Sequence, residues 1–427
     1  MSTYFGHSLQ KIVLWVFILL SAQLHAQAFD TLGIARCYEL ARQNYPLIKE
    51  FDLIHKTEQY SLDNASKGYW PQSTISGQAT YQSAVTQIPI SLPNISIPGI
   101  SKDQYKIYGE LIQPITDIAT TNRQKNLIRI NAGVEQQKLE TEFYKLHDRI
   151  NQVFFGILLL DEQLKQNALL QSDIQSGIRK TEAGYKNGTM LKSSSDILRA
   201  EYLKADQHRV ELQAMRSAYV HMLAAFIGNE LSDTILLNQP EPMIPMEEIN
   251  RPELRLYDLQ KQVYQVQNTL LDTRNMPHLN LFFQGGYGRP ALNFLSNDLD
   301  AYYITGLRLN WNLSNYYTSR KERKILELNQ QMLEVQKEVF VFNTQLSITQ
   351  LKTELKKYQE LISTDQQIIQ LRQSIKLSAN AQLEYGSITS IDYLSYLNEE
   401  SQARESLALH QMQELLTQYN FQTTTGN

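Results

Sequence analysis

Apolar positions along the chain recur with two different periods. Ile325, Leu328, Met332, Val335, Val339, Phe342 and Leu346 are spaced alternately three and four apart. That is a heptad seam, and it predicts a long helix packed side by side with others as coiled coil rather than an isolated amphipathic helix. A period of two governs Leu307, Leu309, Trp311 and Leu313, which alternate with Arg308, Asn310 and Asn312. Successive side chains of a strand point to opposite faces, so this segment predicts a strand apolar on one side and polar on the other. Looser series of the same kind are Leu279, Leu281, Phe283 and Tyr287; Ile75, Ala79, Tyr81 and Val85; and Tyr105, Ile107 and Leu111. The alternation suits a membrane barrel wall, and it also suits a half-buried soluble sandwich.

Punctuation marks the element boundaries. No proline occurs between Ile115 and Gln239 or from Ala291 to the end, and Gly386 is the only glycine between Leu307 and Thr425. Both stretches are rich in Gln, Leu, Glu, Lys and Ala and predict very long helices. The strands fall at about 72–117 and 277–314, with Pro71 and Pro277 at the strand entries.

The chain also resembles itself. Asn44-Tyr45-Pro46-Leu47 is echoed by Asn250-Arg251-Pro252-Glu253-Leu254, and both Pro46/Pro252 and Pro71/Pro277 stand 206 residues apart. Gly188/Gly386 and Gln113/Trp311 stand 198 apart, the difference being absorbed by a longer connecting loop through Ile88–Pro98. The expected organisation is two internal repeats, 29–236 and 237–427, each a helix, two strands and a long helical hairpin.

Composition narrows the class. Among 427 residues, 42% are hydrophobic and 20% charged, enough for a sizeable core. A net charge of −4 argues against general nucleic-acid binding. Lys11, the apolar run Ile12–Leu20 and the small residues Ser21, Ala22, Ala26 and Ala28 predict a signal peptide over 1–28, cleaved after Ala26 or Ala28. Nine apolar residues fall short of the ~20 that a spanning helix needs. No later run is long enough either, so membrane insertion would fall to strands. Cys37 is alone and has Arg36 before it, which suits neither a disulfide nor a lipid anchor.

The order of these weak motifs resembles the TolC family of outer-membrane efflux proteins. The resemblance is carried by Leu32-Gly33-Ile34-Ala35-Arg36-Cys37-Tyr38-Glu39-Leu40-Ala41-Arg42-Gln43-Asn44-Tyr45-Pro46, by Gly188 through Ala200, and by Asn275-Met276-Pro277-His278-Leu279. It continues in Gly306-Leu307-Arg308-Leu309-Asn310-Trp311-Asn312-Leu313 and Gly386-Ser387-Ile388-Thr389-Ser390-Ile391-Asp392-Tyr393-Leu394, and extends from about Phe29 to Tyr419. It implies a mixed α and β fold: a long α-helical coiled-coil barrel, with four strands per protomer contributing to a trimeric transmembrane β-barrel. The implied partners are two further copies, a periplasmic adaptor protein, an inner-membrane pump and outer-membrane lipid, in a Gram-negative bacterium. The resemblance further implies docking and gating at the hairpin tips. Counting from the two glycines puts the tips near Asp161 and Glu162 and near Lys356, Lys357 and Glu360. Asp161 and Glu162 would form a carboxylate ring at a constriction, with Lys356 or Lys357 as latching partners. Gly188 and Gly386 are expected to break the long helices at an equatorial belt, and Asp196 and Asp392 to N-cap the helices that follow. Asn312 stands where the family usually has proline, and Tyr316-Tyr317 where it often has a paired-glycine turn.

No catalytic constellation appears. The eight histidines are scattered, the nine methionines form no cluster, and no HExxH, GxSxG or P-loop occurs. The reading is therefore a channel of a tripartite efflux or type I secretion system with no catalytic, metal or cofactor site. The alternative is an exported coiled-coil adaptor or scaffold without a pore.

Overall fold

The computed structural model describes residues 31–86, 100–294 and 296–427. The expected signal peptide and the loop Ile88–Pro98 lie outside them. Among the described residues, in chain order, are β1 (Thr31–Leu32), α1 (Ile34–Asn44), α2 (Lys49–Ser66), β2 (Gln72–Tyr81) and β3 (Asp103–Pro114). Next come α3 (Ile118–Lys186), α4 (Lys192–Ile227), β4 (Leu236–Leu237) and α5 (Pro252–Arg274). Last are β5 (His278–Arg289), β6 (Asp300–Asn310), α6 (Asn315–Glu384) and α7 (Ser390–Thr425). In both halves two strands lead into a helix of 69 or 70 residues and then one of 36. No helix among the described residues is long and apolar enough to cross a membrane.

The chain divides into two units. One comprises 49–141 and 252–340 and holds an antiparallel sheet in the order β2-β3-β5-β6. Register runs unbroken across it: Ile75 pairs with Gly109, Gly109 with Gly285, and Gly285 with Tyr303. The same register puts Ile75, Ile107, Leu111, Leu281, Phe283, Leu307 and Leu309 on one face, all exposed. Tyr81, Tyr105, Tyr287 and Tyr303 close that face at the end distant from the helices. The opposite face carries Thr74, Ser76, Gln78, Lys106, Glu110, Asn280, Gln284 and Arg308, with Arg308 paired to Glu110 at 2.8 Å. Two sequence expectations shift here. Val85 lies beyond β2, and β6 ends at Asn310, so Trp311 and Leu313 belong to the turn into α6. There the Trp311 indole donates to the Asn275 carbonyl at 3.0 Å, which draws the backbone out of the ladder.

Close packing in the sheet depends on Gly286. A Cβ there would stand 2.2 Å from the Ile107 carbonyl oxygen and 2.6 Å from Tyr108 Cβ. Gly77, by contrast, has nothing within 4 Å.

The other unit comprises the described residues to Ile48, then 142–251 and 341–427. Its core is built by Ile150, Phe154, Phe155 and Ile157 of α3, Leu223 and Ile227 of α4, and the buried face Ile34, Cys37, Leu40 and Ala41 of α1, while Phe421 of α7 clusters with Ile348 and Leu355 of α6. Burial pushes the Cys37 thiol up to about 12, so it stays an inert core residue. Beside this core the His147 ring stacks on Tyr38 at 4.2 Å and tilts against Tyr144 at 4.9 Å. Burial, then the charges of Arg42 and Arg251, push His147 down from 6.5 to about 4.

Two outcomes follow. Gly286→Val should destabilise the sheet by roughly 3 kcal/mol or more through backbone displacement, whereas Gly77→Val should change little; thermal unfolding followed by circular dichroism compares them. An unfolded His147 takes a proton near 6.5 and the folded one only near 4, so its contribution is full above 6.5 and declines as pH falls through that window. His147→Phe, which keeps the stacking, should flatten stability against pH between those values in denaturant titrations.

Candidate functional site

The features that bear on function are the helical hairpin turns and the two-faced sheet. Helix α3 ends in a Schellman turn: the Thr189 amide donates to the Gly184 carbonyl at 2.9 Å and the Gly188 amide to Tyr185 at 3.0 Å. Helix α6 ends identically, with Ser387 donating to Gln382 at 2.8 Å and Gly386 to Leu383 at 3.1 Å. Gly188 and Gly386 sit at φ +74° and +68°, the left-handed region that side chains resist. Helix α7 then starts with a capping box. Asp392 N–H donates to Thr389 Oγ1 and Thr389 N–H to an Asp392 carboxylate oxygen, each at 3.1 Å. The Thr389 hydroxyl, which donates to the same carboxylate at 2.6 Å, and then the Thr389 N–H hold the Asp392 carboxyl below its usual range.

Below the turns the two hairpins share a core of Ile174, Leu198, Ala379, Leu383, Tyr393 and Leu397. Tyr393 is fully buried and lies against Gly177, where a Cβ would come within 2.7 Å of its ring. Its hydroxyl donates to Asn380 Oδ1 at 2.8 Å, and burial, then the charge of Asp173, push the phenol up to about 12. Charges tie the same helices. Lys376 of α6 reaches Asp173 of α3 at 3.0 Å and Glu400 of α7 at 3.2 Å, and Glu400 also accepts from Arg404. Lys180 of α3 reaches Glu384 at 3.2 Å and the Asn380 carbonyl at 3.0 Å. Glu400 is buried and accepts from both cations, so removing one of them leaves it held by the other.

No protein-family model matches the chain, and neither does the sequence of any curated protein. Solved structures do. VceC, an outer-membrane protein of Vibrio cholerae, is 13% identical at a TM-score of 0.65, over 92% of this chain and 96% of that one. The outer-membrane channel CmeC of Campylobacter jejuni is 14% identical at 0.62, over 92% and 85%. The open state of the MtrE outer-membrane channel of Neisseria gonorrhoeae is 11% identical at 0.60, over 92% and 89%. The chain has the fold of an outer-membrane channel. At these identities the likeness is one of backbone, and side-chain roles in the channel fold rest on this chain's own geometry.

That geometry corrects the expected tips. The channel fold here has no turn near Asp161 or near 358, because α3 and α6 run continuously through both. The residues just before Asp161 build the core of their unit, as a solvent-facing turn would not: Phe154, Phe155, Ile157 and Leu160 are all buried. Asp161 is held by Arg216, which also donates to the Ile235 carbonyl at 2.7 Å. Glu162 pairs with Lys165 at 3.1 Å and Gln166 at 2.6 Å. Lys356 reaches Glu360 at 3.9 Å, and Lys357 lies 4.1 Å from the Tyr358 ring centroid, so their partners are neighbours on α6 rather than Asp161 or Glu162. The carboxylate ring and latch therefore lose their premise of a tip at these positions. Gly188 and Gly386 are the hairpin turns themselves rather than breaks at a belt. Asp196 lies inside α4, whose N-cap is Leu191 with no side-chain cap, and Asp392 is the third residue of α7, with Thr389 as its N-cap. Pro71 and Pro277 stand immediately before β2 and β5.

Thr389-x-x-Asp392 was readable as a capping box beside Gly386. Lys376, Asp173 and Glu400 carried no such signal, since α3 is remote in sequence from the α6–α7 hairpin that it meets there. Tyr393→Phe should lose about 1 kcal/mol with its hydrogen bond, and Tyr393→Ala roughly 3–5 kcal/mol with its packing, by denaturant unfolding. Equal losses would contradict the packing role.

Proposed function

We propose that the chain is one protomer of a homotrimeric outer-membrane channel, not an enzyme, that passes substrates delivered by an inner-membrane pump to the exterior. The observation that carries this reading is the sheet. One face is a band of aliphatic residues and Phe283 bounded by tyrosines, the arrangement that hydrocarbon and its interface favour, and the other is mainly polar, with Phe282, Tyr302 and Ile304 set among its charged and amide side chains, as suits a water-filled bore. Among the described residues β2 and β6 each pair on one side only, and four strands cannot close on themselves. Edges left open in lipid strand their backbone groups without partners, which costs several kcal/mol each. Two copies would give eight strands, whose interior side chains fill; three give twelve and leave a passage. The seam from Ile325 to Leu346 supports the same reading, since each of its seven residues is more than half exposed in the single chain.

The resemblance to TolC proteins adds the remaining parts of the proposal. A periplasmic adaptor docks at the hairpin turns around Gly188 and Gly386, and those turns narrow the passage in the resting state. The tie of Lys376, Asp173 and Glu400 and the packing of Tyr393 hold that end together.

Purified protein in planar lipid bilayers should give discrete conductance steps, and Tyr393→Ala, which loosens the hairpin end, should give larger ones. Unchanged steps in Tyr393→Ala would remove the hairpin end from control of conductance. Absence of any step from folded, membrane-inserted protein would favour the pore-free scaffold.

A further inference from the structure

Aromatic side chains also gather at the helix end of the sheet. Trp70 stands just before β2, Trp311 just after β6, and Tyr316 and Tyr317 open α6, all of them exposed. With the tyrosines at the far end they bound the aliphatic band on both sides, as the two interfaces of a bilayer favour. Just beyond these rings positive charge collects. Arg320, Lys321, Arg323 and Lys324 fall within five residues of α6. Arg323 is held by Asp272 of α5, but Arg320, Lys321 and Lys324 are exposed and have no hydrogen-bond or ion-pair partner among the described residues. Two further cations at this end lie against rings. Lys67 Nζ stands 3.8 Å from the Trp70 ring centroid, and Lys125 Nζ 5.0 Å from that of Tyr69. The chain as a whole carries a net charge of −4, so the unpaired cations here run against its trend.

Spacing and depth match a headgroup layer. Arg320 follows Tyr316 by four residues and Lys321 follows Tyr317 by four, so each cation sits one helical turn behind an exposed ring. Arg320, Lys321 and Lys324 lie ~8, ~9 and ~14 Å from the start of α6. Helical side chains lean toward the N-terminus, which for α6 is the sheet end, so these cations lean back toward the rings. The headgroup region of one leaflet is ~5–8 Å deep. Long basic side chains span such a distance by laying their methylenes along apolar surface and leaving the charge in the polar layer.

We propose that Arg320, Lys321 and Lys324 bind the phosphates of anionic phospholipids in the leaflet nearest the helices, with Tyr316 and Tyr317 seated at the boundary with the acyl chains. This rests on the membrane barrel proposed above and names the lipid class that it selects. The ligand is an anionic lipid because the cations are unpaired in the chain and follow directly on interfacial rings, which a carboxylate of another chain would not require.

The test is retention of phosphatidylglycerol against phosphatidylcholine of the same acyl chains by full-length protein in neutral detergent, read by native mass spectrometry and thermal unfolding. Phosphatidylglycerol should be retained preferentially, should raise the unfolding temperature, and should be displaced by salt. Arg320→Gln combined with Lys321→Gln and Lys324→Gln should weaken its binding about a hundredfold. Lys204→Gln combined with Lys356→Gln and Lys357→Gln, which removes the same charge from the other unit, should not. Equal retention of the two lipids by the unaltered protein, or equal losses in the two triple variants, overturns the proposal. So does an oligomer that dissociates in lipid-free detergent when the α6 cations are removed, since carboxylates of another copy would then be their partners. Insertion into vesicles of both lipids without preference keeps the barrel and removes the lipid selectivity, whereas insertion into neither overturns both.

Discussion

Backbone hydrogen bonding at the sheet edges governs the rest of this architecture. A strand in hydrocarbon has no water to satisfy its amides and carbonyls, so an apolar-faced sheet must end in another strand. Here the outer strands have no second neighbour within the described chain, and the exposed face between them is aliphatic and aromatic. On the proposed reading, the chain is a segment of a larger closed surface. Its exposed helical seam poses the same problem in another form, since apolar side chains in a heptad row gain little until another helix covers them.

The hairpin end is made differently. Its two turns use left-handed glycines and local amide bonds, which fix the reversal whatever lies next to it. Beneath them packing and charge act together: Tyr393 fills the space that Gly177 leaves open, and Lys376 joins carboxylates from two other helices. Polar ties specify one arrangement more than they add stability, because much of their attraction offsets the desolvation of the charges.

Much of this was legible in the sequence because it is local. Alternation in β6 and the heptads of α6 are properties of short windows, and each names the face it presents. Glycine stops at 188 and 386 were equally local, and they are where the helices end. The tips were misplaced because their position came from counting along an inferred register, while the burial of Phe154 to Leu160, which keeps α3 running through Asp161, appears only in the folded unit. Trp311 continued the alternation in sequence yet left the strand, because its indole found the Asn275 carbonyl. The contact of Lys376 with Asp173 spans 203 residues, and no pattern within one helix announces it.

Whether the sheet divides lipid from water is tested by the accessibility of nitroxide labels placed singly along β6 of protein reconstituted in lipid. Labels at 303, 307 and 309 should be relaxed by oxygen, which concentrates in hydrocarbon, and those at 302, 304 and 308 by a water-soluble nickel chelate. An alternation with period two means one face in lipid and the other in a water-filled passage. Labels on both faces relaxed equally by the chelate would mean that the sheet lies outside the bilayer, and the account of the chain as a barrel segment would fail.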